Sequence, residues 1–492
     1  MNSFLNNLIR NQKPFLKSPF CLCLLLASLS WGCVERSYSQ AVNLSNSNSN
    51  PQKIKLDLPP LKEGKGGLIV ADVNNDKHKD FLVTHPNKIA VYDHSGQKLW
   101  VKSVNLQLTN KSENQGLPGL HAPGIQAGDI NQDGQAEVLF LSSDHKLHIL
   151  EGKNGKTIRE IQLKSPNGSQ GWEHLVIANF RGKGDSDLLL QATNAKGYRM
   201  GRYLAAYATD ELLKTDNPQP LWERDNFVAN AHNGVRVADL NGDNLDEVLG
   251  GTIISSQGEI LLKLPLKGHI DSLFVADVRP DIPGLEVVVL EEGGEQKKDS
   301  GNSKNQLKRN RVFLYNAEKI IWETDYKNWE PQNAAIGDFD PNRPGLEIWC
   351  RSRFNTNQKP FVFDAKGEVI SNYTLNEIAP PGWTKEGVDV IFTIDWTGNS
   401  KQLAAAKERH KSGDVAIFDP ISGEFLVQFQ ENADRLYVAD VQGDWREELI
   451  ILNEQALHIY QNPESNPNPN RSSLWSQNHY RRSKMTWNYY SP

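Results

Sequence analysis

Histidines and carboxylates recur along this chain at fixed offsets, and these are the residues that could do chemistry. Four of its twelve histidines, His121, His174, His232 and His269, each lie five to nine residues before an Asp- or Asn-led turn. The same offset in other copies holds Glu63, Trp329 with Glu330, Glu386 with Asp389, and Asp434 with Arg435. Imidazoles at one place in successive units suit proton transfer or polysaccharide binding in a shared funnel. They also suit hydrogen bonding within their own loops. No close His–His pair offers a tetrahedral zinc set.

The turns that follow carry a second chemistry, with the spacing D-x-[DN]-x-D-x-x-x-[DE]. Asp72, Asn74, Asp76 and Asp80 fit it, as do Asp129, Asn131, Asp133 and Glu137, and Asp239, Asn241, Asp243 and Glu247. Asp338, Asp340, Asn342 and Glu347 fit with one extra residue; Asp440, Asp444 and Glu448 fit with Gln442 as a poorer ligand. Calcium takes about six to eight oxygens, which alternate residues plus a backbone carbonyl can supply. The copies led by Asn179, Asp277 and Asp395 place Arg181, Arg279 and Thr397 where oxygens are wanted, and there Asx turns need no metal. Calcium is expected as a structural ion, remote from any reaction.

Something must position these groups eight times over. Each copy reads as an apolar strand, the Asp turn, a second apolar strand, a Gly-containing hairpin and a further strand. The copies start 38 to 61 residues apart, about the length of a four-stranded propeller blade. The expected fold is all-β, an eight-bladed β-propeller over residues 53–461, with residues 53–58 as a strand that closes the ring. Loops preceding the innermost strands then line a central funnel. Residues 291–310 read as a polar, strandless insertion in the fifth blade.

Charge is nearly balanced, with 54 basic and 60 acidic residues, so no nucleic-acid partner is indicated. Twelve Trp and thirteen Tyr suit both blade packing and sugar-stacking platforms. Residues 1–33 read as an export signal: Arg10, Lys13 and Lys17 precede an apolar run too short to span a bilayer. Ser30-Trp31-Gly32-Cys33 resembles a lipoprotein cleavage box, so Cys33 is a candidate lipid anchor and the only expected membrane contact. The expected location is periplasm, outer membrane or medium. Past that segment Cys350 stands alone, which excludes an intramolecular disulfide in the mature domain. Residues 34–52 form a polar linker, and residues 462–492 a Pro/Asn linker followed by an aromatic, basic tail. A monomer is expected.

Several strings resemble the bacterial propeller-type rhamnogalacturonan lyases. These are Ala231-His232-Asn233-Gly234-Val235-Arg236, Gly268-His269-Ile270-Asp271, Gly345-Leu346-Glu347-Ile348-Trp349, Gly443-Asp444-Trp445-Arg446-Glu447-Glu448, and the ending with Tyr480-Arg481 and Trp487-Asn488. The resemblance runs from about residue 197 to the C-terminus, with FG-GAP- or VCBS-like turns before it. It implies a calcium-bearing propeller whose funnel cleaves acidic rhamnogalacturonan by β-elimination. His232, His269 and Asp271 correspond to family residues and are the catalytic candidates. His121, His174, Trp329 and Arg435 are substrate-binding candidates, Arg435 or a calcium serving the uronate carboxylate. There are departures: Leu290 stands where the family has a histidine, Glu330-Pro331-Gln332-Asn333 replaces a Gly-Arg-Gly loop, and the family's N-terminal β-sandwich has no counterpart. A non-catalytic propeller that binds polysaccharide or a surface protein is the competing function, because fold alone does not select activity.

Overall fold

Strand pairing in the computed structural model follows the short apolar runs and the turns between them. The structure describes residues 45–46, 50–61, 66–106, 124–197, 200–231, 233–293, 310–327, 330–352, 361–380, 383, 388–408 and 413–486. All fall within the unit Leu44–Pro492. The export segment with Cys33 and the aromatic end at Trp487 lie outside them.

Eight sheets succeed one another along the chain, antiparallel except where Ser45–Asn46 adds a parallel edge strand beside Phe425–Gln428. Blade 1 is Gly67–Ala71, Asp80–His85, Lys88–Tyr92 and Lys98–Ser103; the later blades repeat the pattern from Ile125, Trp172, Arg236, Gly268, Pro331, Val388 and Arg435. Only three strands of blade 8 come from its own repeat. Its fourth is Gln52–Lys55, which pairs antiparallel with Ala456–Tyr460. The ring is thus closed by an N-terminal strand, and Gly67–Ala71 meets Arg435–Ala439 across the seam. The fold is an eight-bladed β-propeller.

The core lies between blades, as expected when each sheet buries its apolar faces against its neighbours. Leu139, Leu141 and Ile149 of blade 2, for example, pack with Leu175, Ile177 and Leu188 of blade 3. Each Asp turn joins the innermost strand to the second strand, so all turns share one end of the ring. Loops that enter the innermost strands share the opposite end, the funnel.

The sequence gives no hint of useful helix, yet a helix at Asn478–Met485 organises the turn end. It contacts the innermost strands of blades 4, 5 and 8. Arg482 donates to Asp246 and Asp185 at 2.8 Å each, and Arg481 reaches Asp185 at 3.1 Å. Lys484 pairs with Glu447 at 3.1 Å, whose carboxylate also accepts Trp475 Nε1 at 2.9 Å and Tyr480 Oη at 3.0 Å. Trp475 and Met485 join the apolar cluster of blades 1 and 8. Residues 474–486 therefore form a plug across the turn end, packed into the ring.

Candidate functional site

A repeated irregularity builds the funnel end. In blades 3, 5, 6 and 7 the innermost strand slips register near its start, between Trp172 and His174, Ile270 and Ser272, Pro331 and Asn333, and Val388 and Val390. A bulge leaves one residue outside the ladder and re-aims its side chain. The residues set apart are Glu173, Asp271, Gln332 and Asp389. All four are polar, and the strands become apolar only beyond neighbours such as His174, Ser272 and Asn333.

Blade 5 brings the most chemistry together. His269 Nε2 lies 3.3 Å from Asp271 Oδ1 and 3.4 Å from Glu292 Oε2. The imidazole side chain is 38% exposed, whereas that of Asp271 is fully buried. Glu292 sits opposite His269 on the neighbouring strand. The ligand atoms of this trio all lie within 4.8 Å of one another, so it can hold a cation as well as move a proton. Gln332 of blade 6 donates its amide to Asp271, and Ser272 Oγ donates to the Gln332 carbonyl at 3.0 Å. Beneath them Glu291 accepts from the Gly268 backbone at 2.7 Å and from Arg311 Nε at 2.6 Å. That buried pair shapes the loop that enters the strand of His269.

Some expectations need correction. Glu291 to Gly293 are not part of a strandless insertion: the second strand of blade 5 runs Glu286–Gly293 and delivers Glu291 and Glu292 to the funnel; residues 294–309 lie outside the described residues. His174 is 2% exposed, its Nε2 3.6 Å from the buried Glu173 carboxylate. Gly234 crowds that ring so closely that a Cβ there would fall 2.4 Å from it. His174 is thus a covered group and does not present its ring to a polysaccharide. Arg435 is 1% exposed, so its guanidinium is likewise embedded in the wall and does not touch substrate directly. Leu290 points into the apolar cluster between blades 5 and 6. His121, His232, Trp329, Glu63 and Glu386 lie outside the described residues.

The turns of blades 1, 2, 3, 4 and 8 share a geometry. Their fourth and sixth residues are left-handed, for example at Asn75 and Lys77 (φ 61° and 72°) in blade 1 and at Gly443 and Trp445 (φ 73° and 67°) in blade 8. Side chains other than glycine enter that region at a cost, so a lysine and a tryptophan there mark a constrained wrap. Except in blade 7, whose turn runs to Gln402 with no acid at its end, the last acid is clamped by the turn's own backbone. Asp80 Oδ2 accepts from Val73 and Asn74 at 2.9 and 3.1 Å, and Glu137 and Glu247 accept from Ile130 and Leu240 at 3.1 and 3.0 Å. Burial, with the neighbouring carboxylates, pushes Asp80, Glu137, Glu247 and Glu347 up to about 7, and Glu448 to about 8. Massed acids of this kind fit a divalent cation.

The fit differs between blades. Among the described residues no basic side chain enters the set in blades 2 and 4, whereas in blade 1 His94 Nδ1 lies 3.5 Å from Asp76 Oδ2, close enough to join Asp76 and Asp80 around one ion. In blade 6, Glu347 Oε1 and Asp338 Oδ1 are buried without a hydrogen-bond partner, but Arg343 binds Asp340 at 3.0 Å. In blade 8, Arg446 holds Asp444 at 3.0 Å and Ser473 holds Asp440 at 2.6 Å. Blade 3 goes further. Arg181 Nε donates to Asp187 Oδ1 at 2.6 Å, the oxygen equivalent to the one Asn74 Nδ2 faces in blade 1 at 3.3 Å. In blade 3 a guanidinium thus supplies the positive charge beside the last acid. Blade 5 differs again, since Arg279 forks onto Asp281 at 2.8 and 2.7 Å.

Comparison with known proteins gives a consistent result. Residues 194–491 match the rhamnogalacturonan lyase family 11 C-terminal domain, and residues 72–140 match an FG-GAP-like repeat. The chain is 24% identical to rhamnogalacturonan exolyase YesX of Bacillus subtilis over 69% of its length, and 25% identical to rhamnogalacturonan endolyase YesW of the same organism over 76%. It spans only 55% and 61% of those two relatives. The crystal structure of the exotype lyase YesX superposes with a TM-score of 0.64 at 18% identity, covering 90% of this chain and 81% of that one. The YesW structure gives 0.60 at 19% identity with the same coverage.

Proposed function

The chain belongs to rhamnogalacturonan lyase family 11, and from that membership we propose that its funnel binds acidic pectic polysaccharide and cleaves it by β-elimination. The observation that carries this reading is the His269, Asp271 and Glu292 trio at the open end of blade 5, inside the family-matching segment. In the reaction a base takes the proton from C5 of the uronate and the electron pair forms the C4–C5 double bond. The C4–O bond then breaks, and the leaving oxygen is protonated. His269 is the exposed member of the trio and takes the role of base, while Asp271, locked by Gln332, sets its tautomer. Asp271 and Glu292 are also the groups that would hold a calcium ion, whose chemistry there is neutralisation of the uronate carboxylate. His232 is retained as a second catalytic residue by correspondence with the family, and Arg435 acts through the wall. The export signal, the lipid anchor at Cys33 and the monomeric state complete the proposal from the sequence.

Incubation with debranched rhamnogalacturonan tests the activity. Growth of the ultraviolet absorbance of an unsaturated uronate is the expected result, and its absence at high protein concentration would return the chain to the polysaccharide-binding reading. That second reading draws on Leu290, which puts an apolar side chain where the family has a histidine.

Calcium in the turns of blades 1, 2 and 4 has its own signature. Asp80, Glu137 and Glu247 have folded-state values near 7, above those of unfolded carboxylates. The metal-free fold therefore binds more protons than the unfolded chain, and its stability falls as pH rises from about 4 to about 7. Calcium holds the same groups ionised and removes that loss. Thermal unfolding with and without chelator should show a larger calcium-dependent rise at pH 8 than at pH 5. An equal rise at both would place the ion elsewhere.

A further inference from the structure

A cleft of 650 Å³ opens beside the funnel, on blade 3. Its walls are the loop that enters Trp172–Ala178, the loop between the second and third strands, and the outer strand Trp222–Arg224. Both loops lie at the funnel end, opposite the Asp turns. Trp172 is buried and meets the half-buried Tyr203 edge-on, with ring centroids 5.9 Å apart at 66°. The indole Nε1 donates to the Lys164 carbonyl at 3.1 Å, which fixes the wedge. Tyr203 is thus a ring backed by rigid packing with one side open to a cleft. Around it the lining is hydroxyl-, amide- and charge-bearing, with Lys164 and Arg202 exposed on the rim. Arg202 is only loosely held, 3.5 Å from Asp225 with both side chains largely exposed.

An aromatic platform inside a polar cleft is the chemistry that recognises a sugar: the ring takes the apolar face and the polar lining takes the hydroxyls. Glu223 and Asp225 line the cleft as well, and Asp225 faces Arg202, so Lys164 is the rim cation left to attract a carboxylate. Trp172 lies two residues before His174 on the same strand, so cleft and funnel wall are separated by about 7 Å of extended chain. We propose that this cleft is a second carbohydrate-binding site, which holds a uronate-bearing stretch of polysaccharide outside the funnel. The proposal rests on the reading of the funnel as a polysaccharide site.

Affinity electrophoresis in debranched rhamnogalacturonan tests it, alongside turnover of oligosaccharides too short to reach from His269 to Tyr203. Tyr203→Ala and the double variant Lys164→Ala/Arg202→Ala are each expected to weaken retardation by about tenfold, the worth of one good stacking or charge contact. Tyr203→Phe keeps the ring and should bind as the parent, and turnover of the short substrates should not change. Parental retardation of both the Tyr203→Ala and the Lys164/Arg202 variants overturns the proposal. The rim variant alters only exposed side chains, so it decides the matter even if Tyr203→Ala folds poorly. Loss of short-substrate turnover in every protein, with Tyr203-dependent retardation intact, would reject the lyase reading and leave the cleft standing.

Discussion

Replacing Asp271 with asparagine is expected to lower kcat for rhamnogalacturonan by about 100-fold or more, with little change in KM or in thermal stability. The reason is tautomer control. Asp271 Oδ1 lies 3.3 Å from His269 Nε2, so on the proposed reading its carboxylate favours the proton on that nitrogen and leaves Nδ1 as the base. Gln332 already donates to the other oxygen of Asp271. An asparagine must offer its carbonyl to Gln332 and therefore turns its amide toward His269. Nε2 then accepts, the proton moves to Nδ1, and the base is lost; the same substitution beside a catalytic histidine is costly for this reason in hydrolytic triads. Glu292 also reaches Nε2, at 3.4 Å, and shields the single variant in part. The double variant Asp271→Asn/Glu292→Gln should therefore fall further, toward about 10⁴-fold. Steady-state rates with a parallel melting curve check both. A drop in stability with proportional activity loss would assign Asp271 a structural role.

The largest stability effect is expected at the plug. Arg482 is the shared partner of Asp246 and Asp185, and its side chain is 11% exposed. Arg482→Ala strands the buried Asp246 and leaves Asp185 with Arg481 alone. Removing one partner of a buried ion pair costs about 3–5 kcal/mol, because the remaining charge loses both its solvent and its counter-ion. Denaturant unfolding should show that loss. Neutralising Asp246 together with the arginine, as Asp246→Asn/Arg482→Met, should recover much of it, since Asp185 then keeps Arg481 at 3.1 Å and no carboxylate is left without a cation. An Arg482→Ala protein as stable as the parent would mean that residues 474–486 are appended to the ring without holding it.

What was legible in the sequence was local. The Asp turns announce themselves because their ligands fall within nine or ten residues, and counting back from them finds the loop of His269 and Asp271. The blades follow from the same spacing. Glu292 was hidden because its place depends on strand pairing across blade 5, and its position had been absorbed into a polar insertion. Gln332, 61 residues from Asp271, comes close only through the packing of blade 6 on blade 5. The bulges could not be seen in one strand alone, although a polar residue leading into an apolar run, as at Glu173 and Asp271, is their trace. The plug was obscured by composition: Pro- and Asn-rich residues before it suggested a linker. Its signal was Arg481-Arg482 and Lys484 in a chain whose turns leave acids such as Asp185, Asp246 and Glu447 in need of cations. Burial, finally, was what a repeated offset could not foretell. His174 lies five residues before its turn and His269 eight before its own, and Gly234 lets the next blade close over His174.

The central claim is that this funnel breaks its polysaccharide by elimination, and the masses of the products test it most directly. Debranched rhamnogalacturonan treated with the parent protein should give fragments whose new non-reducing ends are one water lighter than hydrolysis would leave, and the Asp271→Asn/Glu292→Gln protein should give almost none. Fragments of hydrated mass, unsaturated fragments formed equally well by the double variant, or a polymer of unchanged size would contradict it.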